Sequence, residues 1–440
     1  MKTPICDFVA AYEQSGAARL HMPGHKGRGP LGCEGRDITE IAGADSLYEA
    51  GGIIAESERN AAALFGAART FYSAGGSSQC VGAMLCLALQ KSKSRVVLAA
   101  RNAHKSFVQA AGLLGADVRW LWPRPYSLLA CPVTPEGLEN ALAALPEAPA
   151  AVYVTSPDYL GDLQPVAELA KVCHARGVPL LVDNAHGAYL HFLPAPVHPL
   201  DEGADLCCDS AHKTLPVLTG GAYLHLGRGF AAKEGEVRAA LALFGSTSPS
   251  YLILQSLDAC NRYLADEARP KLAACVRAVA KLKADLAAQG WAVEKSEPLK
   301  VTLRASERRW RGDALADLLR RKGAECEYAD PNHLVLMVSP QNAPQDLERV
   351  RAALAAAGQG SRAPQAPPPM EPPRRAMSIR EALLAASEEL PVEQAAGRVC
   401  AAPTVGCPPA VPVVVSGEVI RPDAAAVFDH YGIRTVRVVR

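Results

Sequence analysis

Two stretches decide how this chain folds: Pro179-Leu180-Leu181-Val182-Asp183-Asn184-Ala185-His186-Gly187, and Asp205-Leu206-Cys207-Cys208-Asp209-Ser210-Ala211-His212-Lys213-Thr214-Leu215-Pro216. Each begins as a short apolar run and ends in polar residues. A run of strand length without polar alternation is the pattern of a strand buried on both faces. Similar runs occur at 95–99, 116–122 and 150–155. Helical stretches separate most of them: 56–69, with Ala61, Leu64, Phe65 and Ala68 at helical spacing, then 78–91 and 162–176. Strand and helix alternating at this rhythm predict βαβ units and a mostly parallel sheet, an α/β fold. Ligands of such sheets bind beyond the carboxyl ends of the strands. Asp183 and the residues after Asp209 therefore carry the functional weight.

Outward from this centre, 250–290 reads as long helices interrupted at Pro270. Residues 291–357 read as a smaller α/β unit, with strands at 300–304 and 333–339 and helices at 312–322 and 343–357. Residues 358–376 hold six prolines from Pro364 to Pro373 and read as a semi-rigid linker. The rest begins with a predicted helix over 378–390 and continues in short Val- and Pro-rich pieces. The expected division is a large domain with its N-terminal segment over 1–260, a small α/β domain over 261–357, the linker, and a C-terminal subdomain over 377–440.

At 440 residues several domains are expected. Lys plus Arg number 46 and Asp plus Glu 45, so the net charge is +1 and no global field draws nucleic acid or an anionic membrane. Thirteen cysteines are an odd count, and none form a C-x-x-C pair, which argues against a disulfide framework or a zinc ribbon. No apolar run approaches the roughly 20 residues of a membrane span, and the start lacks a signal-peptide core. A reduced, cytoplasmic protein is expected.

Asp183 ends a buried strand, where a carboxylate is costly unless it meets a cation or caps the next turn. Lys213 follows the next strand, thirty residues on, in an apolar neighbourhood that favours Schiff-base chemistry. A strand-end Asp and Lys in this order suit pyridoxal 5'-phosphate. The Lys holds the aldehyde and the Asp holds the proton of the ring nitrogen. Ser73-Ala74-Gly75-Gly76-Ser77-Ser78 opens a helix and offers either an anion cradle or an ordinary N-cap. His104, in Arg101-Asn102-Ala103-His104-Lys105-Ser106, is a further polar residue after a strand; it could stack on a pyridine ring or lie on the surface. Cys207-Cys208 reads as a pair of small buried residues. His21, His25, His104 and His186 match no zinc spacing, so no metal is expected.

With these motifs in hand, the chain resembles the Orn/Lys/Arg decarboxylases, a branch of the fold-type I pyridoxal-phosphate enzymes. The resemblance runs from His21-Met22-Pro23-Gly24-His25-Lys26-Gly27 through Gly75-Gly76-Ser77-Ser78, His104-Lys105-Ser106 and Thr155-Ser156-Pro157-Asp158-Tyr159-Leu160-Gly161. It continues through the Asp183 and Lys213 motifs and Ser248-Pro249-Ser250-Tyr251 to Ser416-Gly417-Glu418. It implies a mostly parallel large domain, a small α/β domain and a C-terminal subdomain. Lys213 would form the internal aldimine, Asp183 would pair with the ring nitrogen, His104 would stack on the ring, and His186 would sit beside it. Ser77, Ser78, Ser210 and His212 would hold the phosphate, approached by Thr247 and its neighbours from a second subunit. The implied activity is decarboxylation of lysine, ornithine or arginine to the amine, in polyamine biosynthesis, by at least a homodimer with shared active sites. The proton returned to Cα would come from Lys213 or a nearby histidine.

The cationic end of the substrate needs a carboxylate, for which Glu418, Asp37, Asp45 and Glu56 are candidates. Asn184, Ala211 and Gly220 depart from the family pattern, as does Cys407-Pro408-Pro409-Ala410 in place of an aromatic-Pro-Pro-Gly run. The chain begins almost at the cofactor-binding core, so a dimer or tetramer is expected rather than a decamer. Two competing readings remain: an aminotransferase or lyase of the same fold, for which Arg304 would have to hold the α-carboxylate, and a non-enzymatic regulator.

Overall fold

The computed structural model describes residues 1–124, 126–361, 363–405 and 410–440. Cys407, Pro408 and Pro409 of the altered C-terminal motif lie outside the described residues. The chain forms two compact units, each discontinuous in sequence. The first comprises Met1–Ser94, Glu147–Tyr153 and Val166–Pro270, and the second Arg95–Pro146, Val154–Pro165 and Lys271–Arg440. This division differs from the serial one expected above: 95–146 groups with the C-terminal half, and 261–270 with the N-terminal half.

Seven strands come first in the chain: β1 (Arg69–Ser73), β2 (Val96–Ala100), β3 (Asp117–Leu121), β4 (Ala151–Thr155), β5 (Leu180–Asp183), β6 (Leu206–Asp209) and β7 (Ala222–Leu226). In the first unit the order is β1-β7-β6-β5-β4. β5 and β6 run parallel, while β7 is antiparallel to both β6 and β1. Two reversals cancel, so β1 points the same way as β5 and β6, and their carboxyl ends share one edge. β5 and β6 are buried along their whole length, as their unbroken apolar runs require.

β1 and β7 were absent from the sequence reading, which carried the preceding helix through residue 69. That helix is Ile53–Phe65. It stops because Gly66 adopts a left-handed φ of 64° and turns its N–H back to the Ala62 carbonyl. The aromatic and β-branched residues of Arg69–Ser73 then pair with β7. The helix Gly76–Lys91 is buried continuously from Gln79 to Leu89, which is why its apolar residues show little one-sided patterning.

In the second unit β2 and β3 are parallel. The small sheet is β8 (Lys300–Arg304), β10 (His333–Met337) and β9 (Tyr328–Ala329) in that spatial order, all antiparallel. The helices Gly312–Arg321 and Pro344–Ala356 flank these strands in sequence, close to expectation. The long-helix break falls at Glu267 rather than Pro270. Pro270 sits in the first turn of the next helix, where its missing N–H costs nothing.

The C-terminal helix is shorter than predicted, Ile379–Leu384. Ser378 and Glu381 form a reciprocal capping box at its start. Ser387–Pro391, all but its last residue predicted as helix, is instead β11, paired antiparallel with β12 (Thr435–Val439). Val392, Cys400, Val413, Val427, Phe428 and Val438 form the core beneath it. No helix among the described residues is long and apolar enough to cross a membrane, and the twelve described cysteines are all unbonded.

Candidate active site

Three strand ends of the first unit meet along the edge defined by β1, β5 and β6. β1 ends at Ser73 and leads through Gly75 into the helix Gly76–Lys91. Its first turn carries Ser77 and Ser78, whose backbone N–H groups have no partner within the helix. β6 ends at Asp209 and leads into the short helical turn Ala211–Thr214, which carries His212 and Lys213. The two segments touch: Ser210 Oγ donates to Ser77 Oγ at 2.7 Å. Between these hydroxyls and the helix start lies a donor set suited to a phosphate dianion. His212 Nδ1 lies 3.1 Å from the Gly221 carbonyl, which fixes its ring and puts a proton on that nitrogen.

β5 ends at Asp183, which is buried. Its Oδ2 accepts from the Tyr153 hydroxyl at 2.9 Å. Its Oδ1 accepts from the Ala185 N–H at 3.2 Å and faces the Cys208 thiol at 3.6 Å. Lys213 Nζ and His186 Nε2 are 2.8 Å apart, so the amine that follows β6 meets the imidazole that follows β5. A buried carboxylate, an amine paired with an imidazole, and hydroxyls at a helix N-terminus on one sheet edge match the donor and acceptor pattern of pyridoxal phosphate. Tyr153 was not singled out in the sequence, where it is one more apolar-run residue; only its position opposite Asp183 reveals it.

Thr247 is exposed between the helices Glu234–Ala242 and Tyr251–Asp266. In the second unit, His104 caps the helix Lys105–Leu114, its Nδ1 accepting the Ser106 N–H at 3.2 Å. In a neutral ring that leaves the proton on Nε2.

Two of the proposed substrate carboxylates are engaged by internal donors. Asp45 accepts the N–H groups of Gly51, Gly52, Ile54 and Ala55 and so caps the helix Ile53–Phe65. Glu418 is buried and gives both oxygens to Arg101. Both carboxylates thus serve internal contacts, Glu418 from a buried position. Asp37 shares Oδ2 with His25 at 3.1 Å and its side chain is 30% exposed. Arg304, required by the aminotransferase reading, is half-exposed and paired with Glu294 and Glu307.

A second polar cluster has no sequence signature. His198, Cys207 and Asp209 bring ligand-type atoms within 4.8 Å of one another, all buried. Asp209 accepts from Asn184 Nδ2 at 2.7 Å and lies 3.0 Å from His198 Nε2 and 3.2 Å from His225 Nε2. The Leu200 N–H donates to His198 Nδ1, which puts that ring's proton on Nε2, facing Asp209. The cluster is thereby a hydrogen-bond network around an anion rather than a set of lone pairs facing a metal. Burial pushes the thiols of Cys207 and Cys208 well above their ordinary range, which suits their structural reading.

The Orn/Lys/Arg decarboxylase major-domain family model matches residues 3–339, and that of the C-terminal domain matches 363–434. The chain belongs to the Orn/Lys/Arg decarboxylase family. It is a pyridoxal-phosphate-dependent decarboxylase of basic amino acids. An arginine decarboxylase of Halalkalibacterium halodurans is 29% identical over 451 residues, spanning 95% of this chain and 91% of that protein. The uncharacterized protein YaaO of Bacillus subtilis is 33% identical over 361 residues, 77% of this chain and 74% of its own. Among solved structures, lysine decarboxylase A of Pseudomonas aeruginosa superposes with a TM-score of 0.82 at 18% identity, covering 99% of this chain and 80% of that one. The Escherichia coli constitutive lysine decarboxylase gives 0.78 at 18% identity, covering 100% and 82%. These likenesses bear out the fold-type I expectation for this Orn/Lys/Arg decarboxylase.

Proposed function

We propose that the chain decarboxylates L-arginine to agmatine and CO₂, with Lys213 as the cofactor-bearing residue. The observation that carries the site assignment is the Lys213–His186 pair beside the buried Asp183 at adjacent, parallel strand ends. The substrate choice is supported by the arginine decarboxylases that align with 94–96% of the chain. Bound pyridoxal phosphate supplies an electron sink for the pair left on Cα when CO₂ departs. Asp183 would hold the proton of the ring nitrogen. Ser77, Ser78, Ser210 and His212 would hold the phosphate at the helix start, with Thr247 of a second copy, and the family resemblance gives His104 the ring face.

The proton that returns to Cα comes from Lys213 Nζ or His186 Nε2, which already share a hydrogen bond. Asp37 is the carboxylate we assign to the substrate's guanidinium: its side chain is 30% exposed and one oxygen is shared with His25, whereas Glu418 is buried against Arg101. A second copy of the chain is expected to complete the site; Leu20 and Leu31, 94% and 82% exposed, supply apolar surface for it. We place the enzyme in the cytoplasm.

Purified protein should release CO₂ and agmatine from L-arginine faster than cadaverine from L-lysine or putrescine from L-ornithine. Lys213→Ala should abolish both turnover and the visible absorbance of the bound cofactor. Keto-acid formation without CO₂ would overturn the proposal. Asp37→Asn should raise KM for arginine while leaving cofactor absorbance intact.

A further inference from the structure

Arg101 follows β2 directly and stands three residues before His104. Its guanidinium is fully buried. Nη1 meets Glu418 Oε1 at 2.6 Å, and Nη2 meets Glu418 Oε2 at 2.8 Å and the Pro412 carbonyl at 3.3 Å. The rings of Trp120 and Trp122 flank it, with centroids 5.0 and 4.4 Å from its central carbon. Glu418 is held in turn by the Val415 N–H, which donates to Oε2 at 2.9 Å. This two-pronged geometry requires a planar fork, and a lysine at 101 could not reproduce it.

The backbone on the other side of Arg101 is equally constrained. The Arg101 N–H donates to the Leu121 carbonyl at 3.0 Å, and the Ala103 N–H to the Ala100 carbonyl at 3.2 Å. His104 then begins the helix Lys105–Leu114 and caps it. A short turn pinned at Arg101 and at the helix start leaves the His104 ring little freedom.

We propose that Glu418 is a positioning residue. Through its buried pair with Arg101, the C-terminal subdomain fixes the turn that presents His104, and Glu418 does not contact the substrate. A buried pair of this kind contributes little net stability against an apolar substitute, but losing one partner strands the other charge. Removing the Glu418 charge is therefore expected to loosen the Arg101–His104 turn. The inference rests on the reading that His104 faces the cofactor.

The test compares wild type with Glu418→Gln and Glu418→Asp by three readouts. Hydrogen–deuterium exchange of the amides of 102–107 is followed in the cofactor-free chain. Steady-state constants are measured with L-arginine, L-lysine and L-ornithine. Visible circular dichroism of the bound cofactor reports the asymmetry of its surroundings. Glu418→Gln should speed exchange in 102–107, lower kcat by about 10- to 100-fold and change KM by less than about threefold. It should also weaken the dichroism. Glu418→Asp, which keeps the charge on a shorter stem, should lie between, and it carries the same readouts if Glu418→Gln does not fold. Unchanged exchange in 102–107, or a rise in KM with kcat and dichroism unaltered, overturns the proposal. If the wild-type chain binds no cofactor, the His104 reading fails separately, and the exchange data still decide whether Glu418 holds the turn.

Discussion

The Tyr153 hydroxyl donates to Asp183 Oδ2 at 2.9 Å, with both side chains buried. Together with the Ala185 N–H on the other oxygen it fixes the plane of the carboxylate at the end of β5. Tyr153→Phe keeps the ring and removes one donor from a buried acceptor. The expected cost is about 1–3 kcal/mol of folding stability, read from the urea midpoint. Cofactor affinity should fall as well, because the carboxylate can then rotate away from the ring nitrogen; a titration of the cofactor-free protein measures this.

Gly187 is tied to Asn184 more tightly than its loop position suggests. A Cβ at Gly187 would stand 2.0 Å from Asn184 Oδ1 and 2.6 Å from Leu190 Cδ1. Asn184 cannot yield freely, because its Nδ2 donates to Asp209 at 2.7 Å. Gly187→Ala should therefore cost about 1–3 kcal/mol and disturb Asp183 and His186, which precede it in the same loop. Thermal denaturation and the Lys213-dependent visible absorbance should both report it. An alanine variant with wild-type midpoint and absorbance would show that the loop relaxes without strain.

The polar network around Asp209 predicts how stability responds to acid. Burial disfavours the charged ring of His225 and sets its proton affinity below the ordinary value. The folded chain then binds fewer protons at this site than the unfolded chain. Its contribution is complete above about pH 6.5 and is lost as the pH falls below that. Burial alone would raise Asp209, but the imidazoles of His198 and His225 outweigh it and hold the carboxyl below its usual range. That contribution is complete above about pH 3.9 and is lost further down. The network's own contribution should thus decline in two stages as the pH falls, opposed over the range between by the buried carboxyls of Glu58 and Asp158, which burial raises and which therefore take up protons more readily in the folded chain. His225→Gln, which keeps a side-chain N–H donor but cannot titrate, should remove the first stage from the pH dependence of the urea midpoint.

How much of this was legible in the sequence depended on whether a residue's role was local. Lys213 and Asp183 drew attention because Asp183 ends an apolar run and Lys213 closely follows one, and strand ends carry function in parallel sheets. β1 escaped because the helical spacing of Ala61, Leu64, Phe65 and Ala68 carries the helix past Gly66, although a glycine at that point is itself the usual helix stop. β11 escaped because Ser387–Pro391 gains its strand identity only from β12, more than forty residues later. Glu418 shows the same limit at the site. As a lone acidic residue in a motif it invited a substrate role, whereas its partner Arg101 lies 317 positions away. Tyr153 and the Asp209 network, likewise, exist only where strands meet.

The contact between Ser77 and Ser210 allows the phosphate assignment to be separated from every other role at this edge. The two hydroxyls come from different strand ends and lie 2.7 Å apart beside the start of the helix Gly76–Lys91. A hydrogen bond to a charged group is worth about 1.5–3 kcal/mol, so Ser210→Ala should weaken binding of pyridoxal 5'-phosphate by about 10- to 100-fold. Ser77→Ala should act similarly, and the double variant should lose less than the sum, because the two hydroxyls share one ligand and one mutual bond. Pyridoxal, which has the same ring and aldehyde but no phosphate, provides the control. Its affinity should be nearly the same for wild type and variants, since Asp183 and Lys213 are untouched. Absorbance titrations of the four cofactor-free proteins with both compounds measure these affinities. An equal loss for pyridoxal and its phosphate would mean that the serines support the fold of this edge rather than the anion.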